Sequence, residues 1–120
     1  FFSLWYNIFG DSMHLESEIF DLVNNNIKDI EVRINDGKRR KLKIGDIITF
    51  KNRGNDDTID VKIINLEYFS SFNECINNYD LKRLYNDKIT KEEFLNLLYK
   101  FYTKDDEKEY GVVAIIFKKV

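Results

Sequence analysis

Residues 27–50 read IKDIEVRINDGKRRKLKIGDIITF, and in the first part of this run Ile30, Val32 and Ile34 alternate with Glu31 and Arg33. A strand turns successive side chains to opposite faces, so the segment carries one apolar face and one bearing a carboxylate beside a guanidinium. Lys28 stands just ahead of it. The turn signal Asn35-Asp36-Gly37 follows, then a basic run of Lys38, Arg39, Arg40, Lys41 and Lys43. Ile44-Gly45-Asp46 leads into a second strand over residues 46–52. Polar chemistry this concentrated on one short element marks where a site is to be expected.

Upstream, Ile19, Phe20, Leu22 and Val23 fall at helical spacing with Glu16, Glu18 and Asp21 opposite, which predicts an amphipathic helix over residues 16–25. Asn24, Asn25 and Asn26 end it, because asparagine tolerates the left-handed conformation of a helix C-terminus. Downstream, residues 53–57 read as a hairpin tip, and a long strand over residues 58–68 changes phase between Ile63 and Ile64. A β-bulge there would bury both apolar sets, Ile59, Val61 and Ile63 before it and Ile64, Leu66 and Tyr68 after it. Ser71 with Glu74, and Thr90 with Glu93, have the spacing of capping boxes that open helices. A turn-rich piece with Leu81, Leu84 and Tyr85 lies between them, and Phe94, Leu97, Leu98 and Phe101 read as a core stripe. Residues 104–109 read as a solvated connection, and residues 111–117 as a strand buried on both faces. Four strands with helices before the first and between the last two make an α+β domain, most economically a small bent β-barrel with flanking helices.

With 120 residues the chain holds one core. Residues 1–12 read as an apolar leader and residues 13–120 as a single domain; Met13 fits a natural start with a leader before it. Leu4, Trp5 and Phe9 are expected to pack on the domain, since such a segment left exposed invites aggregation. The formal charge of -2 makes no case for nucleic acid as a whole, but residues 28–43 carry net +4 and the remainder net -6. A basic patch on an acidic body steers an anionic ligand to one face. One cysteine, Cys75, excludes an internal disulfide, and one histidine, His14, gives no zinc pattern. The expectation is a cytoplasmic protein without metal, cofactor or membrane span.

Lys28-x-x-Glu31-x-Arg33, Ile34-Asn35-Asp36-x-Lys38-Arg39-Arg40 and Ile44-Gly45-Asp46-x-Ile48-x-Phe50, placed after an apolar helix, form a set with Tyr68-x-x-Ser71-Phe72 and Glu109-Tyr110-Gly111-Val112-Val113-Ala114-Ile115. This set resembles the ASCH domain, the activating signal cointegrator homology domain of the PUA-like superfamily, over about residues 13–118. The resemblance implies a β-barrel with helices around a cleft, and a role in binding RNA or nucleosides. Family members usually have glycine two residues before the lysine; Asn26 stands there, and both residues suit a positive φ. Some small bacterial relatives are amidohydrolases that deacylate N4-acetylcytidine with a lysine, a threonine three residues on and a distant glutamate. Lys28 matches that lysine, but Glu31 holds the threonine position, and a carboxylate nucleophile would yield a mixed anhydride.

By periodicity alone Glu31 and Arg33 also fit a solvated surface ion pair worth ~0.5 kcal/mol. With the resemblance they join Lys28 in a cleft, Arg33 as a fork for phosphate or a base edge, Glu31 as an acceptor for an exocyclic amine, and Lys28 as a point charge or proton carrier. Asn35, Lys38, Arg39 and Arg40 are expected at its rim. Tyr110, beside Gly111, either packs in the core or stacks on a base. The leading expectation is a module that binds RNA or a modified nucleotide. The alternatives are a small hydrolase with Lys28 and Glu31 as proton-transfer groups, and a protein-interaction domain that uses the leader.

Overall fold

The computed structural model describes residues 11–120, so the expected packing of Leu4, Trp5 and Phe9 lies outside the described residues. Five strands form one mixed sheet: β1 (Asp11–Leu15), β2 (Ile30–Ile34), β3 (Ile47–Asn52), β4 (Thr58–Phe69) and β5 (Val112–Lys119). Their order is β1-β3-β4-β5-β2, with β1 parallel to β3 and the other pairs antiparallel. The sheet curls into a half-barrel flanked by α1 (Ser17–Asn24), α2 (Phe72–Ile76), α3 (Leu81–Leu84), α4 (Lys91–Leu98) and α5 (Lys104–Tyr110).

Two apolar clusters hold it. Inside the curl, Met13, Phe50, Val61, Ile63 and Ile115 pack with Phe20 and Val23 of α1, and the Phe50 and Phe117 rings meet edge to face at 5.3 Å. On the opposite face, Ile30, Val32 and Ile34 pack with Val112, Ala114 and Ile116 beneath α2, α3 and α4. Strand β5 contributes to both clusters, which is why Val112 to Phe117 are all buried. Removing a side chain such as Phe50 from either cluster would cost about 3–5 kcal/mol.

Local signals in the sequence explain the ends of the elements. Asn26 adopts φ 59°, and the Thr90 and Glu93 capping box is complete. Ser71 caps α2 by accepting from the Glu74 N–H, but Glu74 answers to the Ser70 N–H and not to Ser71, so only half of that box forms.

Three expectations need correcting. The bulge exists between Ile63 and Asn65, yet Ile64 and Tyr68 beyond it are exposed. Strand β3 stops pairing at Lys62, so the second half of β4 has a single neighbouring strand and lies outside the curl. Strand β1 was not expected; it is short, and its partner β3 is more than thirty residues away. Residues 104–109 are the body of helix α5 and not a solvated connection. Glu107 anchors this helix: its buried carboxylate accepts from the Phe72 N–H at 2.7 Å and from the Tyr99 hydroxyl at 2.8 Å. A helix held by a carboxylate shows no hydrophobic stripe.

Helix α5 turns into β5 at Gly111, where φ is +73° and an added Cβ would stand 3.1 Å from the Phe69 carbonyl oxygen. Gly111→Ala should therefore lower stability by ~1–3 kcal/mol in urea denaturation. Gly37→Ala, where a Cβ meets nothing within 4 Å, should stay within ~0.5 kcal/mol of the parent. Equal effects at the two positions would contradict this account of the α5–β5 corner.

Candidate functional site

Among the described residues, strands β1 and β2 are the two edges of the sheet and do not pair, so the half-barrel they form is open between them. A cleft of about 140 Å³, partly open to solvent, lies in this seam. One wall comes from β1 and α1 through His14, Leu15, Glu16 and Ile19. The other comes from α3, α4 and the turn after α4, through Leu84, Tyr85, Leu97, Phe101 and Tyr102 among others. The floor is Lys28, Glu31, Val32 and Arg33.

Lys28, Glu31 and Arg33 are 4%, 8% and 3% exposed, which rules out the solvated surface pair that periodicity allowed. Glu31 and Arg33 lie on β2 opposite Ile115 and Val113, whose side chains belong to the cluster inside the curl. The ammonium of Lys28 reaches Glu31 Oε1 at 2.9 Å and donates to the Leu84 carbonyl at 2.8 Å and to the Ile30 carbonyl. Its three N–H bonds are thereby occupied. Arg33 Nε donates to Glu31 Oε2 at 2.6 Å, and its guanidinium also bonds the Tyr102 hydroxyl. Helix α3 is clasped to the entry of β2 by the same residues: the Asp29 N–H donates to the Arg83 carbonyl at 3.0 Å, and Arg83 Nε to the Asp29 carboxylate at 2.9 Å.

Burial alone would raise the Glu31 carboxyl, but the charges of Lys28 and Arg33 and their hydrogen bonds outweigh it and hold it at about 2. Burial would likewise lower Arg33, and its carboxylate partner Glu31 reverses that. The floor therefore carries two cations and one anion, a net charge of +1, beneath walls that are mostly apolar but include Glu16, His14, Tyr85 and Tyr102. Such a surface accepts a flat, weakly polar ring between its walls and favours hydrogen-bond acceptors or negative charge at the ring's edge.

The other residues singled out in the sequence stand beyond the cleft's end. Arg39 is buried; burial and the nearby charge of Arg33 lower its pKa to about 10, and its Nη1 lies 3.1 Å from Asp36 Oδ2. Arg40 Nε donates to the Asn35 carbonyl at 2.9 Å, and its guanidinium sits 5.8 Å from the centre of the Tyr110 ring. The Asn35 side-chain oxygen is buried without a hydrogen-bond partner among the described residues, and Lys38 is exposed. None of Asn35, Lys38, Arg39, Arg40 and Tyr110 lines the cleft. Cys75 is fully buried and its thiol is pushed up to about 12, chiefly by burial, so it acts as a small apolar side chain.

Sequence reasoning missed most of the walls. His14 has no motif around it, and Tyr102 follows a helix whose stripe reads as core. In that stripe Phe94 and Leu98 are buried, whereas Leu97 is half-buried and Phe101 is 45% exposed along the cleft. Among the described residues no group of three or more His, Cys, Asp or Glu side chains is placed to hold a metal, and no helix is long and apolar enough to cross a membrane.

Glu31 lies well below its ordinary value of 4.5, so its contribution to stability is full above pH 4.5 and is lost as the pH falls towards 2. The shift corresponds to ~3 kcal/mol. Glu31→Gln should cost ~3–5 kcal/mol at pH 7, because two buried cations lose their counter-ion. It should also flatten the acid limb of the stability curve followed by urea denaturation. Parallel acid limbs for Glu31→Gln and the parent protein would contradict the burial and pairing of this carboxylate.

A family model of the ASCH domain matches residues 13–120. The crystal structure of the hypothetical protein PH0355 is similar at a TM-score of 0.81 and 34% identity, over 91% of this chain and 97% of that one. The solution NMR structure of protein PF0455 from Pyrococcus furiosus is similar at a TM-score of 0.72 and 29% identity, over 91% of this chain and 96% of that one. The curated proteins give no significant match. With its motif set, its curled α+β half-barrel and these similarities, the chain belongs to the ASCH domain family, within the PUA-like fold.

Proposed function

We propose that this domain binds RNA or a modified nucleotide, taking one base into the cleft between β1 and β2. The observation that carries the reading is the buried Lys28, Glu31 and Arg33 network on the floor of an apolar cleft, in a chain of the ASCH family. The apolar walls suit the faces of a base, and Tyr85 and Phe101 supply rings on which it can stack. The net positive floor suits a carbonyl or ring-nitrogen edge. Glu31 accepts from an exocyclic amine with the lone pairs that Lys28 and Arg33 leave.

The hydrolytic alternative has less support. The N–H bonds of Lys28 are all directed to fixed acceptors, and Glu31 is held ionised between two cations, so Glu31 is not poised to take up a proton near neutral pH. The protein-interaction alternative depends on the leader, which lies outside the described residues.

Titration of the protein with short RNAs of differing sequence and with mononucleotides tests the proposal. Arg33→Lys keeps the charge and removes the fork, and should weaken the preferred ligand by ~1–3 kcal/mol while narrowing discrimination among bases. Phe101→Ala should weaken all bases by ~1–3 kcal/mol. Circular dichroism and thermal melts establish that each variant is folded. Absence of binding by the parent protein, or chemical-shift changes that avoid the cleft residues, would overturn the proposal.

A further inference from the structure

We infer that the phosphate of a nucleotide held in the cleft emerges on the His14 side and is received by Lys51 and Arg53, beside the β3–β4 hairpin, and not by the basic loop after β2. This rests on the reading of the cleft as a nucleotide site and adds the direction in which the ligand's charged end leaves it.

His14 lines two hollows at once. It belongs to the wall of the cleft, and it also borders a groove formed with Lys51, Arg53 and the hairpin tip. The groove therefore adjoins the cleft at His14. The sheet register sets this arrangement, because His14 on β1 stands directly beside Lys51 on β3. The Arg53 N–H donates to the Leu15 carbonyl at 2.8 Å, which keeps Arg53 next to the end of β1.

The hairpin is a built support. Asn52 is buried, and its side-chain oxygen accepts from the Ser17 hydroxyl at 2.6 Å and the Gly54 N–H at 2.8 Å. Gly54 is required there, since an added Cβ would come within 2.2 Å of the Ser17 oxygen. Lys51, at the end of β3, is exposed, and Arg53 opens the braced turn with about a quarter of its side chain exposed.

Charge favours this side. Lys51 and Arg53 outnumber Asp56 among the residues of the groove, for a net +1, and Glu16, which is exposed, approaches Arg53 only loosely, at 3.6 Å. Burial comes first among the causes that lower the pKa of His14, and the charges of Arg53 and Lys51 follow, which reports a positive potential where the groove meets the cleft. The basic loop is differently committed. Arg39 faces Asp36, Arg40 donates to the Asn35 carbonyl and covers Tyr110, and neither borders the cleft.

The test compares each of the four common ribonucleosides with its 5′-monophosphate by NMR titration at low salt. The parent protein should bind the monophosphate about threefold to tenfold tighter than the nucleoside, as two exposed charge contacts allow. In the double variant Lys51→Ala, Arg53→Ala the two affinities should become equal, with the nucleoside's own affinity unchanged. The double variant Lys41→Ala, Lys43→Ala should keep the preference. If the preference survives loss of Lys51 and Arg53, or disappears with Lys41 and Lys43, this inference is wrong while the cleft reading stands. If no nucleoside or nucleotide binds the parent protein, both fall together.

Discussion

A carboxylate closed off from water between an ammonium and a guanidinium is the constraint on which the site and much of its surroundings depend. Each of the three charges would be costly to bury alone. Glu31 meets both cations, and Lys28 directs its remaining N–H bonds to carbonyls on β2 and α3. Those last two bonds make the network architectural as well as electrostatic. They tie the last residue of α3 to β2, and α4 packs with α3 over the same cluster. The apolar wall of the cleft thus stands where it does because a lysine had to find acceptors.

Well-packed apolar side chains often replace buried ion networks without loss of stability, so this one is weak evidence for a purely structural role. Its place supports that view. The network does not fill the middle of either apolar cluster; it forms the floor of a cleft that reaches solvent. An electrostatic floor under largely apolar walls is the feature on which the proposed recognition of a base rests.

The cleft exists because the barrel does not close. Open edges of a sheet carry unpaired backbone groups that proteins cover or blunt. Here the two edge strands face a common seam, and α1, α3 and α4 flank it. One edge supplies the charged floor and the other supplies His14 and Leu15. The position of β1 beside β3 also sets the cleft next to the groove at the β3–β4 hairpin, with His14 bordering both.

Much of this could be read in the chain before any coordinates. Period-two alternation marked β2 and the first half of β4, turn signals marked β3, an unbroken apolar run marked β5, and the asparagines and capping residues marked helix ends, because strand pleat, turn chemistry and cap geometry are local properties. The juxtaposition of Lys28, Glu31 and Arg33 was also visible, since all three fall within six residues on or beside one strand. What local pattern did not contain was burial. Whether Glu31 and Arg33 faced water or the inside of a curl depended on β2 lying against β5, some eighty residues away. Strand β1 and helix α5 were illegible for a related reason: one is held by pairing with a distant strand, the other by a buried carboxylate that looks like a surface residue in sequence. The sequence by itself thus determined the elements other than β1 and α5, the family pattern and the charged trio. The tertiary structure alone decided that the trio is buried, that Leu97, Phe101 and Tyr102 are walls, and that the basic loop stands apart from the cleft, because solvent exposure is a property of which surfaces meet and no single segment encodes its partner.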